Sequence, residues 1–209
     1  MSPKTLARIA LSAMALSACS ALWSLERFQR ESEVEESAAA TAPDLGRVPD
    51  FFLKAADARG ATVLRGSDLL GRVWIADFIF TRSEGPGPIL SANMARLQEK
   101  LPGRVWLVSF TVDPAHDTPP VLRRYAAQLG AQPGRWFFVT GPKPAVRHLI
   151  LEGLKLPLTE YPQAPAATRV THSTKFLLVD RLGRIRGAYD GLDEASLAGL
   201  IRDAGASLR

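Results

Sequence analysis

Two eight-residue stretches limit what this chain can become. Val73-Trp74-Ile75-Ala76-Asp77-Phe78-Ile79-Phe80 and Arg104-Val105-Trp106-Leu107-Val108-Ser109-Phe110-Thr111 are near-continuous apolar runs rather than alternating ones. A strand with that pattern must be covered on both faces, which is the position of a central strand in a parallel sheet. Between them Leu90, Met94, Leu97 and Leu101 recur at three- and four-residue intervals over Ile89 to Leu101, with Pro88 in the first turn, so the link is an amphipathic helix. Strand, helix, strand at this spacing is a right-handed βαβ unit.

The rest of the chain fits around that unit. Thr118 is placed to cap a helix carrying Pro119 and Pro120 in its first turn, continuing through Leu122, Tyr125 and Leu129 to a stop at Gly130. Trp136-Phe137-Phe138-Val139 reads as a short strand ended by Thr140-Gly141-Pro142, and Ala145 to Leu154 as helix. Lys175 to Asp180 and Arg184 to Tyr189 flank a glycine-containing turn and predict a β-hairpin. Phe51 to Lys54 and Ala61 to Leu64 predict another around Arg59-Gly60, and Asp193 or Glu194 to Ala204 closes the chain as a helix. The expected fold is a thioredoxin-like α/β domain, a central sheet flanked by helices, with an added N-terminal β-hairpin.

That domain occupies 47–209, and what precedes it is of different character. Residues 1–23 contain Lys4 and Arg8 and then an apolar or small, uncharged run from Ile9 to Ala18, the pattern of an export signal. Leu16-Ser17-Ala18-Cys19 has the form of a bacterial lipobox, which makes Cys19 the expected lipidation site and first residue of the mature chain. The competing reading extends the apolar run through Ala21-Leu22-Trp23 as a membrane-spanning anchor, although a span needs about 20 apolar residues. Either reading puts the domain on the extracytoplasmic, periplasmic side, bound to a membrane. Residues 24–46, rich in glutamate and then alanine, lack the bulky apolar side chains of a core and read as a tether. From residue 47 onward 22 Lys and Arg face 15 Asp and Glu, a balance of about +7. The arginines are scattered without interleaved aromatics, so a nucleic-acid partner is not expected, whereas acidic partners or anionic lipid are compatible.

Four segments carry a resemblance. Trp74 to Arg82, Ser109-Phe110-Thr111-Val112-Asp113-Pro114-Ala115-His116-Asp117-Thr118-Pro119, Trp136 to Gly141, and Thr171-His172-Ser173 before a strand resemble, in order and spacing, the Sco/SenC family. The similarity runs from about Val48 to the C-terminus. It implies a membrane-tethered, thioredoxin-like protein that binds copper and helps deliver it to the Cu-A centre of cytochrome c oxidase, with oxidase assembly proteins or an intact Sco paralogue as partners. The family's metal site is a Cys-x-x-x-Cys loop after the first central strand, completed by a histidine before the late strand.

Here the loop reads Thr81-Arg82-Ser83-Glu84-Gly85-Pro86-Gly87-Pro88, and Cys19 is the only cysteine of the chain. The two cysteine positions fall on Ser83 and Gly87, and the histidine position falls on His172. Cuprous copper selects thiolate or thioether donors; a serine hydroxyl is a poor donor and glycine offers none. Met94 is the one soft donor left beyond the leader, at a core-facing helical position suited to packing. His172 with Glu84 would supply only two ligands, short of a closed site. His116 follows the Val-Asp-Pro turn toward the same end of the sheet, and His148 reads as a surface residue. The expected metal contact is therefore His172 alone, with copper weakly held and no resident cofactor.

Thiol-disulfide chemistry needs two sulfurs, which the loop lacks, so an enzyme of that kind is not expected. Asp77 lies six residues before Ser83, the offset of the buried aspartate from the first cysteine in thioredoxins, and is expected to be a relic or an acceptor for backbone or Arg82, with a raised pKa. A Ser83, His172, Asp77 hydrolase lacks the glycine pattern of a nucleophile elbow. The leading expectation is a family member degenerate in copper-thiolate binding that acts as a binding or assembly module. The alternatives are a copper chaperone using His172 with partner-supplied ligands and a redox enzyme with an unrecognised centre.

Overall fold

The structure is a computed structural model, and it describes residues 45–161, 163–165, 168 and 170–209. Cys19, the leader and nearly all of the tether lie outside the described residues. The described chain builds a seven-stranded sheet in the order β2-β1-β5-β4-β3-β8-β9, with a separate two-stranded sheet, β6-β7. The strands are β1 (Phe52–Ala56), β2 (Ala61–Arg65), β3 (Trp74–Ile79), β4 (Trp106–Thr111), β5 (Trp136–Thr140), β6 (Leu158–Glu160), β7 (Val170–His172), β8 (Lys175–Val179) and β9 (Ile185–Asp190). The helices are α1 (Gly87–Lys100), α2 (Pro119–Gln128), α3 (Lys143–His148) and α4 (Glu194–Ala206).

The two apolar runs are the adjacent central strands. β3 pairs parallel with β4 from Trp74↔Trp106 to Ile79↔Thr111, and β4 pairs parallel with β5. Every β3 residue is buried, as the unbroken run requires. Alternation then sorts the side chains. Trp74, Ala76, Phe78, Val108 and Phe110 face a cluster closed by Val146, Leu149 and Ile150, while Ile75, Ile79 and Leu107 face α1, α2 and α4 through Leu90, Met94, Leu122 and Leu200. Met94 is fully buried in that second cluster, which gives it a packing role.

The added N-terminal hairpin extends the central sheet, because β1 also pairs antiparallel with β5. Two local expectations are corrected. Thr118 holds the N-cap position of α2 but its side chain makes no capping bond; Pro119 and Pro120 remove two of the donors a cap would satisfy. The helix expected over Ala145 to Leu154 begins at Lys143 and changes at Leu149–Gly153 to a π-helical turn, where Gly153 passes close to Pro49. β6 and β7 carry no sequence period, since three residues are too few to show one. Their hairpin is held to α3 through Glu160, which takes Lys143 Nζ at 2.5 Å and Arg147 Nη1 at 3.2 Å.

Candidate metal-binding loop

The Thr81–Pro88 loop leaves the C-terminal end of β3 and ends in the first turn of α1. Ser83 N donates to the Phe80 carbonyl at 2.9 Å, turning the chain sharply, and Leu90 N donates to the Pro86 carbonyl at 3.0 Å. The loop is tied to the neighbouring Val112–Asp117 turn by two carboxylates. Asp117 is fully buried and accepts Thr111 Oγ1 at 2.5 Å, Thr81 N at 3.3 Å and the Thr81 hydroxyl. Burial pushes its carboxyl up, and the Thr111 and Thr81 bonds draw it back only in part. Asp113 takes Arg82 Nη2 at 2.5 Å. The Val-Asp-Pro-x-x-Asp-Thr segment is thus the clamp that shapes the loop, a role its sequence did not disclose because both partners, Thr81 and Arg82, sit 30-odd positions upstream.

Within the loop, Ser83 and Gly87 are brought together. A Cβ built on Gly87 would lie 2.7 Å from Ser83 Cβ and 2.8 Å from its Oγ. Gly87 is buried, whereas Glu84, Gly85, Pro86 and Pro88 are exposed, so the tip of the loop faces solvent. Two cysteine Cβ atoms joined by a disulfide stand about 3.8 Å apart. The serine has therefore closed into the space that a side chain at 87 would need.

His172 ends β7 opposite Leu158. The β3-β8 ladder pairs Trp74 with Val179 and Ala76 with Leu177, and His172 lies three residues before the start of β8, in the separate β6-β7 sheet. The junction is fastened to α1, because Gly191 N donates to the Thr174 carbonyl at 2.9 Å and Asn93 Nδ2 to the Gly191 carbonyl at 2.8 Å. A Cβ on Gly191 would strike Leu90 at 2.6 Å and Phe176 at 2.8 Å, so the two segments meet closely. His172 Nδ1 lies 2.9 Å from the Ser173 carbonyl, an acceptor, which fixes the proton on Nδ1 and leaves the lone pair on Nε2. Burial lowers its pKa. This is how a histidine is prepared to bind metal, with its second nitrogen held by a carbonyl.

The donor set around it is poor. Among the described residues no three of His, Cys, Asp and Glu converge on a point where an ion could sit. His116 lies in the Asp113–Asp117 turn, with its backbone N–H on the Asp113 carbonyl at 3.0 Å. His148 is exposed at the end of α3, as its sequence context suggests.

Asp77 has the raised pKa expected of a buried carboxyl, but the Arg82 alternative fails. It does not accept from Arg82, which pairs with Asp113 instead, and neither carboxylate oxygen has a hydrogen-bond partner. Ser109 is its register partner on β4 and its hydroxyl eases the burial, but the two stand outside bonding geometry, and Ser109 Oγ accepts Trp136 Nε1 at 2.9 Å. Desolvation raises the Asp77 pKa to about 7. Nearby, Tyr125 Oη donates to Ser91 Oγ at 2.7 Å, and burial together with the charges of Asp77 and Asp117 raises the phenol's pKa. The Ser91–Tyr125 bond joins α1 to α2 and was not legible, since its partners stand 34 positions apart.

Comparison with known proteins agrees with this geometry. The SCO1/SenC family model matches residues 49–202. The SCO1 protein homolog of Bacillus subtilis (strain 168) is 33% identical over 139 residues, which is 65% of this chain and 70% of the relative. A SCO1/SenC family lipoprotein from Bacillus anthracis str. Ames superposes with a TM-score of 0.68 at 28% identity, covering 78% of this chain and 95% of that one. BsSco, a member of the Sco family of cytochrome c oxidase assembly proteins with a disulfide switch, gives a TM-score of 0.64 at 29% identity, covering 77% and 92%. The fold is the thioredoxin-like fold of these proteins, and the chain belongs to the SCO1/SenC family.

Proposed function

We propose that this protein is a membrane-tethered, extracytoplasmic SCO1/SenC member that serves assembly of the cytochrome c oxidase copper centre without copper-thiolate chemistry of its own, as a binding or assembly module and not as an enzyme. The observation that carries the reading is that no cysteine follows Cys19, while Ser83 is closed against Gly87 in the loop where the resemblance puts the family's cysteines. A cuprous ion in transit is a soft cargo, and the donors offered are one hydroxyl, one bare backbone position and one imidazole. The exposed, proline-stiffened tip at Gly85, Pro86 and Pro88 suits contact with another protein. The lipobox ending in Cys19 supports the tether, and a lipoprotein among the similar structures is consistent with it.

One observation favours a second reading. Burial lowers the His172 pKa and its Nε2 is the nitrogen left without a proton, which suits a copper ion whose thiolates come from a partner. The experiment that tests both is restoration. Ser83→Cys with Gly87→Cys is expected to bind one cuprous ion per chain, and His172→Ala on that background to weaken binding at least tenfold. Segment 83–86 must withdraw by about 1 Å to admit the second side chain. A double variant that folds yet binds no copper would mean that the loop geometry, and not only the donors, has been lost.

A further inference from the structure

The opposite end of the sheet carries a face that copper chemistry does not use. Arg47, Arg72, Arg181 and Arg184 are exposed around the start of β3 and the β8-β9 turn, together with three exposed leucines, Leu45 (40%), Leu70 (55%) and Leu182 (54%). They form one surface. Gly71 N donates to the Arg181 carbonyl at 2.7 Å, Val48 N to Gly183 at 2.9 Å, and Ile185 N to Gly46 at 2.8 Å. Leu70 Cδ2 stands 3.5 Å from the Cβ position of Gly183. Arg47 and Arg184 are direct partners in an antiparallel bridge, where like charges repel unless an anion lies between them. Two carboxylates lie at its edge: Asp180 Oδ1 accepts the N–H groups of Leu182 and Arg184 while Oδ2 stands 3.9 Å from Arg186, and Asp50 accepts Ser67 N. Arg181 donates to the Arg209 carbonyl, and among the described residues neither Arg47 nor Arg184 forms an ion pair with a carboxylate. A cavity of about 400 Å³ opens here beside Arg47, Leu70 and Gly183; Trp74 lines it, and the buried indole N–H has no acceptor among the described residues.

Exposed leucines ringed by arginines match an anionic bilayer surface, where the aliphatic side chains enter the headgroup region and the guanidinium groups meet phosphates. The chain also enters the domain here: Leu45 belongs to this face and lies 26 residues after Cys19, so on the tethered reading the membrane-linked segment joins the domain at this face. We infer that the Leu45, Leu70, Leu182 and arginine face docks on anionic phospholipid and turns the Thr81–Pro88 loop away from the membrane toward its partner. The inference rests on the tethered reading above.

The test is hydrogen exchange of the full chain reconstituted on phosphatidylcholine vesicles with or without phosphatidylglycerol. Amides of residues 68–72 and 180–186 are expected to exchange at least several-fold more slowly on the anionic vesicles, with the effect lost in high salt and in Arg47→Glu, Arg181→Glu, Arg184→Glu. Should the triple reversal fail to fold, glutamines at the same positions give the same comparison. Equal rates on both vesicles, or protection that survives charge reversal, would overturn the docking face and indicate a protein partner or none. Flotation with neutral vesicles in high salt reads the tether separately. A chain that floats without anionic-specific protection loses only the docking face, and one that does not float loses the tether.

Discussion

Asp117 and Asp77 are both fully buried carboxylates near the C-terminal ends of β3 and β4, and their surroundings differ completely. Asp117 takes three donors and ties the Thr81 end of the loop to the neighbouring turn. Asp77, on the α1-facing side of β3, takes none. In thioredoxins the carboxylate at that offset moves protons for the thiol pair; here the pair is gone and the acid remains. The difference separates a loop scaffold whose carboxylate is fully bonded from a buried acid that has no hydrogen-bond partner among the described residues.

The comparison can be broken most forcefully at Asp117. Asp117→Val would take the acceptor from the Thr81 amide and from the Thr81 and Thr111 hydroxyl protons, and urea unfolding should show a loss of about 3–5 kcal/mol. A loss below about 1 kcal/mol would mean that the loop is not held from this point. Asp77→Asn should act in the opposite direction. A carboxyl with a folded pKa of about 7 against the ordinary 3.8 is protonated in the native state between those values and ionised in the unfolded chain. The native state binds the extra proton, so stability falls as pH rises from about 4 to 7, by a total on the order of 4 kcal/mol, and levels off above. The asparagine variant should lose that slope and gain about 1–3 kcal/mol at pH 8, the gain being limited by its own unpaired amide. A native chain with flat stability over this range would contradict an unpartnered Asp77. Smallest is Gly87→Ala, whose methyl meets Ser83 Cβ at 2.7 Å. It should cost about 1–2 kcal/mol in the same unfolding assay, and Ser83→Gly on that background should recover most of it.

The sheet and its flanking helices were legible because unbroken apolar runs and three-to-four spacing survive in any order of contact. β3, β4, α1 and the β8-β9 hairpin fall where the pattern puts them. For the site, the sequence offered Ser83, Gly87 and His172 through resemblance at matching positions, and of these the structure brings Ser83 and Gly87 into contact. What stayed hidden depends on pairing across distance. The Thr81–Asp117 clamp joins residues 36 apart, and Ser91–Tyr125 joins residues 34 apart. The Arg82 partner was mistaken for the same reason: Asp77 is near in sequence, but strand alternation turns it to the opposite face from Phe80, whose ring centroid lies 5.7 Å from the Arg82 guanidinium.

The most direct measurement of the central claim is a cuprous titration of the full chain carrying Cys19→Ala, in detergent and reductant, against a competing copper chelator. With no thiol left, the account predicts no binding that outcompetes the chelator and no change on His172→Ala. Stoichiometric binding that holds copper against it, and that His172→Ala abolishes, would contradict the account and make this protein a copper carrier in its own right.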